Sequence, residues 1–257
     1  VLRDVALWLR PAGWPLLPEA ARRRTLLLAC AAIVAQVVFV GGWVVGGALE
    51  PRFSQIRQYI SELGRQGAAN PWLFTIFVGI WGLGFIALAV AIMPSLSTRP
   101  WPLAMSLFFV LAGVCAILVG WLQMDCSPIL SRACKSRYDA GAASWHFYAH
   151  AWLSVGIKVT LLLTGFAFAR SAWPSRLGRL VLSGALVILV AGIVTFFLHD
   201  SFAPYQGLEE RLWALVAHLW ALLCATVLIL EATLEPGALR AHEASMQRHA
   251  PGELAVS

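Results

Sequence analysis

Six runs of nineteen to twenty-four mainly apolar residues divide this chain: Leu26–Leu49, Trp72–Met93, Leu103–Met124, Phe147–Ala169, Leu180–Leu198 and Leu212–Leu230. Each matches the roughly 20 helical residues that cross a hydrocarbon layer of about 30 Å. Backbone amides find no water there, so a spanning segment must be a helix or a strand of a closed barrel. None of the runs alternates with period two, so helices are expected. Only 12% of the 257 residues are charged, 60% are hydrophobic, and the mean hydropathy is +0.75. A soluble domain carries about 25% charge. The predicted fold class is all-α: a polytopic membrane protein with six transmembrane helices in one bundle.

Six crossings put both termini on one side. Arg22, Arg23 and Arg24 precede the first span, while Glu50 and Arg52 follow it. Basic residues stay in the cytoplasm, and the first helix usually sets the orientation. The expectation is a multi-pass protein of the plasma (inner) membrane with both termini cytoplasmic. The net charge of +6 sits in scattered topology signals. No basic recognition helix or aromatic platform for nucleic acid is present, so the expected partners are membrane lipids. Residues 1–25 divide off as an amino-terminal interfacial segment, residues 26–230 as the transmembrane domain, and residues 231–257 as a polar cytoplasmic tail.

The loops on the opposite, extracytoplasmic side are longer and hold most of the polar residues. In the first, Phe53, Ile56, Ile60 and Leu63 recur at helical spacing, and Gly64 follows as a stop signal. A short amphipathic helix is predicted there, lying on the membrane or capping the bundle. Asn70–Pro71 reads as the N-cap and first residue of the second span. Cys30, Cys115 and Cys224 fall within spans, as small apolar packing residues. Cys126 and Cys134 share the second loop, either as a disulfide in an oxidising compartment or as two free thiols.

Several short motifs carry a resemblance. "YISELG" and "NP" follow the first span, and "WLQMDCSP" closes the third. "WHFYAH" opens the fourth, and "GLEERLW" opens the sixth. Together they resemble the bacterial and archaeal membrane-protein family called domain of unknown function 998, over roughly residues 26–230. The resemblance implies six membrane helices and no particular activity. Position by position it highlights Ser61, Glu62, Leu63, Gly64, Asn70, Asp125, His146 or His150, Gly207, Glu210 and Arg211. Two histidines stand where the family pattern leads us to expect one.

The strongest signal independent of that resemblance is on the fourth span, where His146, His150, Ser154 and Lys158 are spaced by four. On a helix they form one stripe running toward mid-membrane. A lysine at such depth costs about 2.5–3.5 kcal/mol on insertion scales, so the stripe should face the bundle interior or a wet cavity. Other polar groups cluster at the same ends of the spans: Glu62, Asp125, His199, Asp200, Glu210 and Arg211, with His218 about two turns deeper. Burying so many polar groups without partners would be costly. The expectation is therefore an outward-facing polar pocket built by Glu62, Asp125, His146, His150, His199, Asp200, Glu210 and Arg211. Ser154, Lys158 and His218 would form a substrate pathway beneath it. For any one of these residues, an ion pair, a helix cap or a hydrogen-bonded core position is the plainer alternative.

His146 and His150 have the i, i+4 spacing of helical metal ligands, and His199 or Asp125 could supply a third. A Zn²⁺ held there would activate water against a lipid headgroup. Three functions stay open on the sequence. One is an enzyme acting on a lipid or lipid-linked substrate, with Asp125 or Glu210 as acid/base and Arg211 as anion clamp. The second is a small carrier or permease using the His146–Lys158 stripe. The third is a non-catalytic accessory subunit that binds lipid or merely holds its loops together.

Overall fold

A computed structural model describes Leu17 and residues 19–95, 100–173, 175–197 and 203–233. His199 and Asp200, most of the amino-terminal segment and nearly all of the polar tail lie outside the described residues.

The described chain is helical, and six helices are long and apolar enough to cross a membrane: α1 (Glu19–Leu49), α2 (Pro71–Ile92), α3 (Pro100–Trp121), α5 (Trp145–Ser171), α6 (Arg176–Phe197) and α7 (Gln206–Thr233). A short helix α4 (Arg132–Asp139) lies between α3 and α5. Local chemistry sets several of these ends. Pro71 opens α2 without needing a hydrogen bond for its nitrogen, as anticipated, although Asn70 makes no side-chain cap bond. The Ser144 hydroxyl accepts from Phe147 N at 3.3 Å and starts α5.

The helices are apolar nearly all round, because one side meets protein and the other meets lipid. Phe77, Phe85, Phe109, Phe168 and Leu88 are fully buried, while Val37, Leu83 and Val187 point outward. In spatial order the main neighbours run α6, α5, α3, α2, α1, α7, and α7 also touches α2 and α5. Close approach depends on small residues, as is common between helices in lipid. A Cβ on Gly82 of α2 would sit 2.6 Å from the carbonyl oxygen of Gly113 on α3.

The loops 50–70, 122–144 and 203–205 gather at one end of the bundle, hereafter the loop face. Here the first loop differs from expectation in extent. Its helix is one 3-10 turn, Ile60–Gly64, and all five residues are buried. Residues 51–59 are turns rather than helix. The reason is competition for backbone partners, since α7 takes several of this loop's polar groups for itself. Leu208 N donates to Ile56 O at 2.9 Å, and Arg211 Nη1 donates to Gln58 O at 2.9 Å. With its carbonyls at Ile56 and Gln58 committed to α7, this stretch cannot close the i to i+4 bonds of a helix.

The second loop holds α4, which the sequence reading missed. Ser131 caps it by accepting from Cys134 N at 3.2 Å, and a Cys126–Cys134 disulfide fastens it to the end of α3.

Candidate functional site

The two motifs that stand out in the sequence, "YISELG" and "GLEER", meet face to face. Gly207 lies so close to the Gln58 backbone that any Cβ would collide with it. Glu210 Oε2 accepts from Ile60 N. Arg211 donates to Gln55 Oε1 from Nε at 2.9 Å and from Nη2 at 2.5 Å, and to Gly207 O from Nη1 at 2.7 Å. The guanidinium also lies over the Phe53 ring, 5.7 Å from its centroid. The start of α7 would otherwise leave backbone N–H groups unpaired. The first loop supplies one of the missing acceptors and is clamped in return.

Glu62 lies beneath this junction, fully buried. Its Oε2 accepts from Gln58 Nε2 at 2.9 Å and from the Ser127 hydroxyl at 2.6 Å, while Oε1 has no partner. Burial pushes its carboxyl above the usual range, against the opposing pull of Ser127, Gln58 and Arg65. Arg65 ties the same loop down, donating to Glu50 Oε1 at 2.6 Å and to Glu62 O at 3.0 Å.

Asp125 serves a different junction. It accepts from Ser144 N at 2.8 Å and from the Ser144 hydroxyl at 2.5 Å, joining the end of α3 to the start of α5. Burial alone would raise its carboxyl. The two Ser144 bonds, with His146 and Arg137 nearby, outweigh that and hold it below the ordinary value. His146 Nδ1 lies 3.4 Å from Asp125 and donates to Gln123 O at 2.8 Å.

Two adjacent spaces with shared walls open between these junctions. A vestibule of ≈ 540 Å³ at the loop face is bordered by Arg57, Tyr59, Lys135, Tyr138 and His150, among others. A smaller chamber of ≈ 80 Å³ lies deeper, walled by Phe39, Phe74, Trp81, Leu161 and Trp213. Ser61, Ser154, Lys158 and Glu210 border both spaces and so form the neck between them. Lys158 Nζ is 3.6 Å from Glu209 Oε1 and 5.6 Å from the centre of the Trp213 ring. His150 donates from Nδ1 to Leu122 O at 2.6 Å. Burial, with Glu210 and Glu209 close by, raises the Tyr59 phenol well above its ordinary value, so it stays a neutral donor.

His218 is elsewhere. It donates from Nδ1 to Gln36 Oε1 at 2.6 Å, and the same oxygen accepts from Trp81 Nε1 at 2.8 Å. This network joins α7, α1 and α2, packed among Phe39, Trp43 and Trp81.

The expected shared pocket therefore resolves into separate groups. His150, Ser154, Lys158 and Glu210 come together around one space. Arg211 faces the first loop, Asp125 and His146 face the α3–α5 junction, Glu62 is enclosed under the 3-10 turn, and His218 sits in the helix core. Those positions correct the expectation of one rim, because each of those side chains finds a nearer backbone or side-chain partner. Among the described residues, no three His, Cys, Asp or Glu side chains stand together as a metal-ligand set. Gln58, which bridges Ser54, Glu62 and Arg211, was not anticipated. Its signal was its i, i+4 spacing to Glu62. Gln36 also went unremarked, although an amide in the middle of an apolar run is a visible anomaly.

No curated protein and no solved structure matches the chain. A family model described as "Protein of unknown function (DUF998)" matches residues 33–227, most of the chain and all but the ends of its six-helix bundle. With six apolar helices and that match, this multi-pass membrane protein belongs to the DUF998 family.

Proposed function

We propose that this protein binds an amphipathic membrane ligand, a lipid or lipid-linked molecule, in the space that opens at its loop face. One observation carries the reading: a vestibule edged by Arg57, Tyr59 and Lys135 narrows through Ser61, Ser154, Lys158 and Glu210 into a chamber of aromatic and aliphatic side chains. Binding sites for small molecules combine a mainly apolar wall with a few placed polar groups. An amphiphile would set its head in the vestibule and its tail in the chamber. Below Lys158 the chamber wall is apolar, which favours holding a tail over passing an ion.

The loop face lies outside the plasma (inner) membrane in this reading, with both termini in the cytoplasm. Arg22–Arg24 at the other end of α1 and the Cys126–Cys134 disulfide at the loop face both support that orientation. A membrane-impermeant maleimide should label an R52C variant in intact cells. Labelling only after the cells are opened would reverse the orientation.

The binding itself is tested by photo-crosslinking. The full chain in nanodiscs is treated with a fatty acid carrying a photoactivatable group at its tail end. Crosslinks are expected on chamber residues such as Leu161 and Trp213, and filling the chamber with Ala217→Phe should remove them. Crosslinks confined to outward residues such as Leu83 and Val187 would defeat the proposal.

A further inference from the structure

Resting on that reading, we infer that the ligand is a single-chain amphiphile with an anionic head, its charge set against Lys158 and Arg57 and its tail end in the chamber. The charges bordering the vestibule are unequal. Arg57, Lys135 and Lys158 are cations, and Glu210 is the one acid among the residues that border it. Glu210 spends one oxygen on Ile60 N. Lys135 is answered by Asp139 at 3.0 Å. Among the described residues, that leaves the Arg57 guanidinium without a hydrogen-bond or ion-pair partner and Lys158 in a loose ion pair with Glu209. Lys158 is paired with Glu209 only at 3.6 Å, beyond hydrogen-bond reach, so its three ammonium donors can still turn to a ligand.

Lys158 lies at the midpoint of α5, a 27-residue helix, where an ammonium group is expensive to keep and marks a functional position by default. Ser154 and Ser61 at the neck already donate their hydroxyls, to His150 O at 2.9 Å and Met124 Sδ at 3.6 Å, so the Tyr59 phenol above them is the neighbouring O–H donor. Ammonium, guanidinium and phenol donors around one space suit a phosphate or carboxylate. The chamber limits the tail. At ≈ 80 Å³, against about 10–15 Å³ for one water, it has room for roughly six waters or the end of one hydrocarbon chain, not two side by side.

The test measures binding to the full chain in phosphatidylcholine nanodiscs. The probes are monooleoylglycerol phosphate, oleate, uncharged monooleoylglycerol, dioleoyl phosphatidate and inorganic phosphate. Either charged single-chain probe should bind about tenfold or more tighter than uncharged monooleoylglycerol, the factor expected for a charge-assisted hydrogen bond. Which of the two is stronger separates a phosphate head from a carboxylate. Lys158→Gln should abolish the preference while monooleoylglycerol still binds. Arg57→Gln, an exposed change that leaves the bundle intact, should reduce it. Equal affinity for charged and uncharged probes would overturn the inference and leave the amphiphile site standing. A preference that survives Lys158→Gln, or dioleoyl phosphatidate or inorganic phosphate binding as well as the single-chain anions, would also overturn it. If no amphiphile binds, the proposed function fails as well.

Discussion

Arg211 grips Gln55 with two of its nitrogens, at 2.9 and 2.5 Å, and so fastens the start of α7 to the first loop. An arginine that the sequence offers as an anion clamp is thus occupied by protein acceptors. The consequence is mechanical. Arg211→Ala should lower stability by about 2–3 kcal/mol, the scale of losing charge-assisted bonds and leaving buried acceptors unpaired. Arg211→Lys should recover little, because a point charge cannot reproduce the guanidinium fork. Thermal unfolding in detergent reads both. Ligand affinity unchanged at saturating stability would confirm a holding role.

Glu62 yields a pH signature. Burial raises its carboxyl in the folded protein, so the protonated form is the one the fold favours. Its contribution is fully present below the unfolded value of about 4.3 and is lost as pH rises through the folded value. Glu62→Gln keeps the shape and cannot ionise. The variant should therefore gain on the wild type as pH rises, and the two melting temperatures should converge at low pH. A gap that widens on acidification would contradict the assignment.

Gly207 and Gly79 give a paired test. Both are helical glycines, and replacing such a residue by alanine ordinarily gains up to about 1 kcal/mol. Nothing lies within 4 Å of a Cβ placed on Gly79, whereas one on Gly207 strikes the Gln58 backbone. Gly79→Ala should be neutral or stabilising. Gly207→Ala should be destabilising, by displacing the first loop. Melting curves of the two variants should move in opposite directions or differ clearly in size.

The Cys126–Cys134 disulfide closes a short step of 8 residues beside the vestibule. Loop-closure entropy puts its removal at about 2–3 kcal/mol. A C126S/C134S double variant should melt earlier, and reductant should then have no further effect on it. Because α4 carries Lys135 and Tyr138 to the vestibule, exchange of a bound fluorescent amphiphile should also quicken.

Much of the architecture was legible from spacing and hydropathy. All six spans fall where the apolar runs lie, with α1 and α7 each extended past the apolar run at one or both ends by polar turns. Glu62, Glu210 and Arg211 stood out as polar residues in specific motifs, and they do assemble at one junction. What was not legible was their direction. Glu210 and Arg211 are neighbours in sequence and both reach the first loop, yet only Glu210 also borders the neck of the cavity, as the roughly 100° turn per helical residue allows. α4 was missed because a mainly polar stretch of eight residues between two spans carries no apolar period.

The sequence by itself determined that the chain crosses a membrane six times, and which residues gather at each end. Bilayer thickness and the need to pair every backbone amide act on each segment separately, so they leave their mark in local pattern. Only the tertiary structure decided which polar residues border a shared space and which are used up holding loops. These helices are apolar all round, so lipid-facing and protein-facing positions look alike in the chain. Their rotation is settled by close contacts such as Gly82 on Gly113, and by which partner each buried polar atom reaches first.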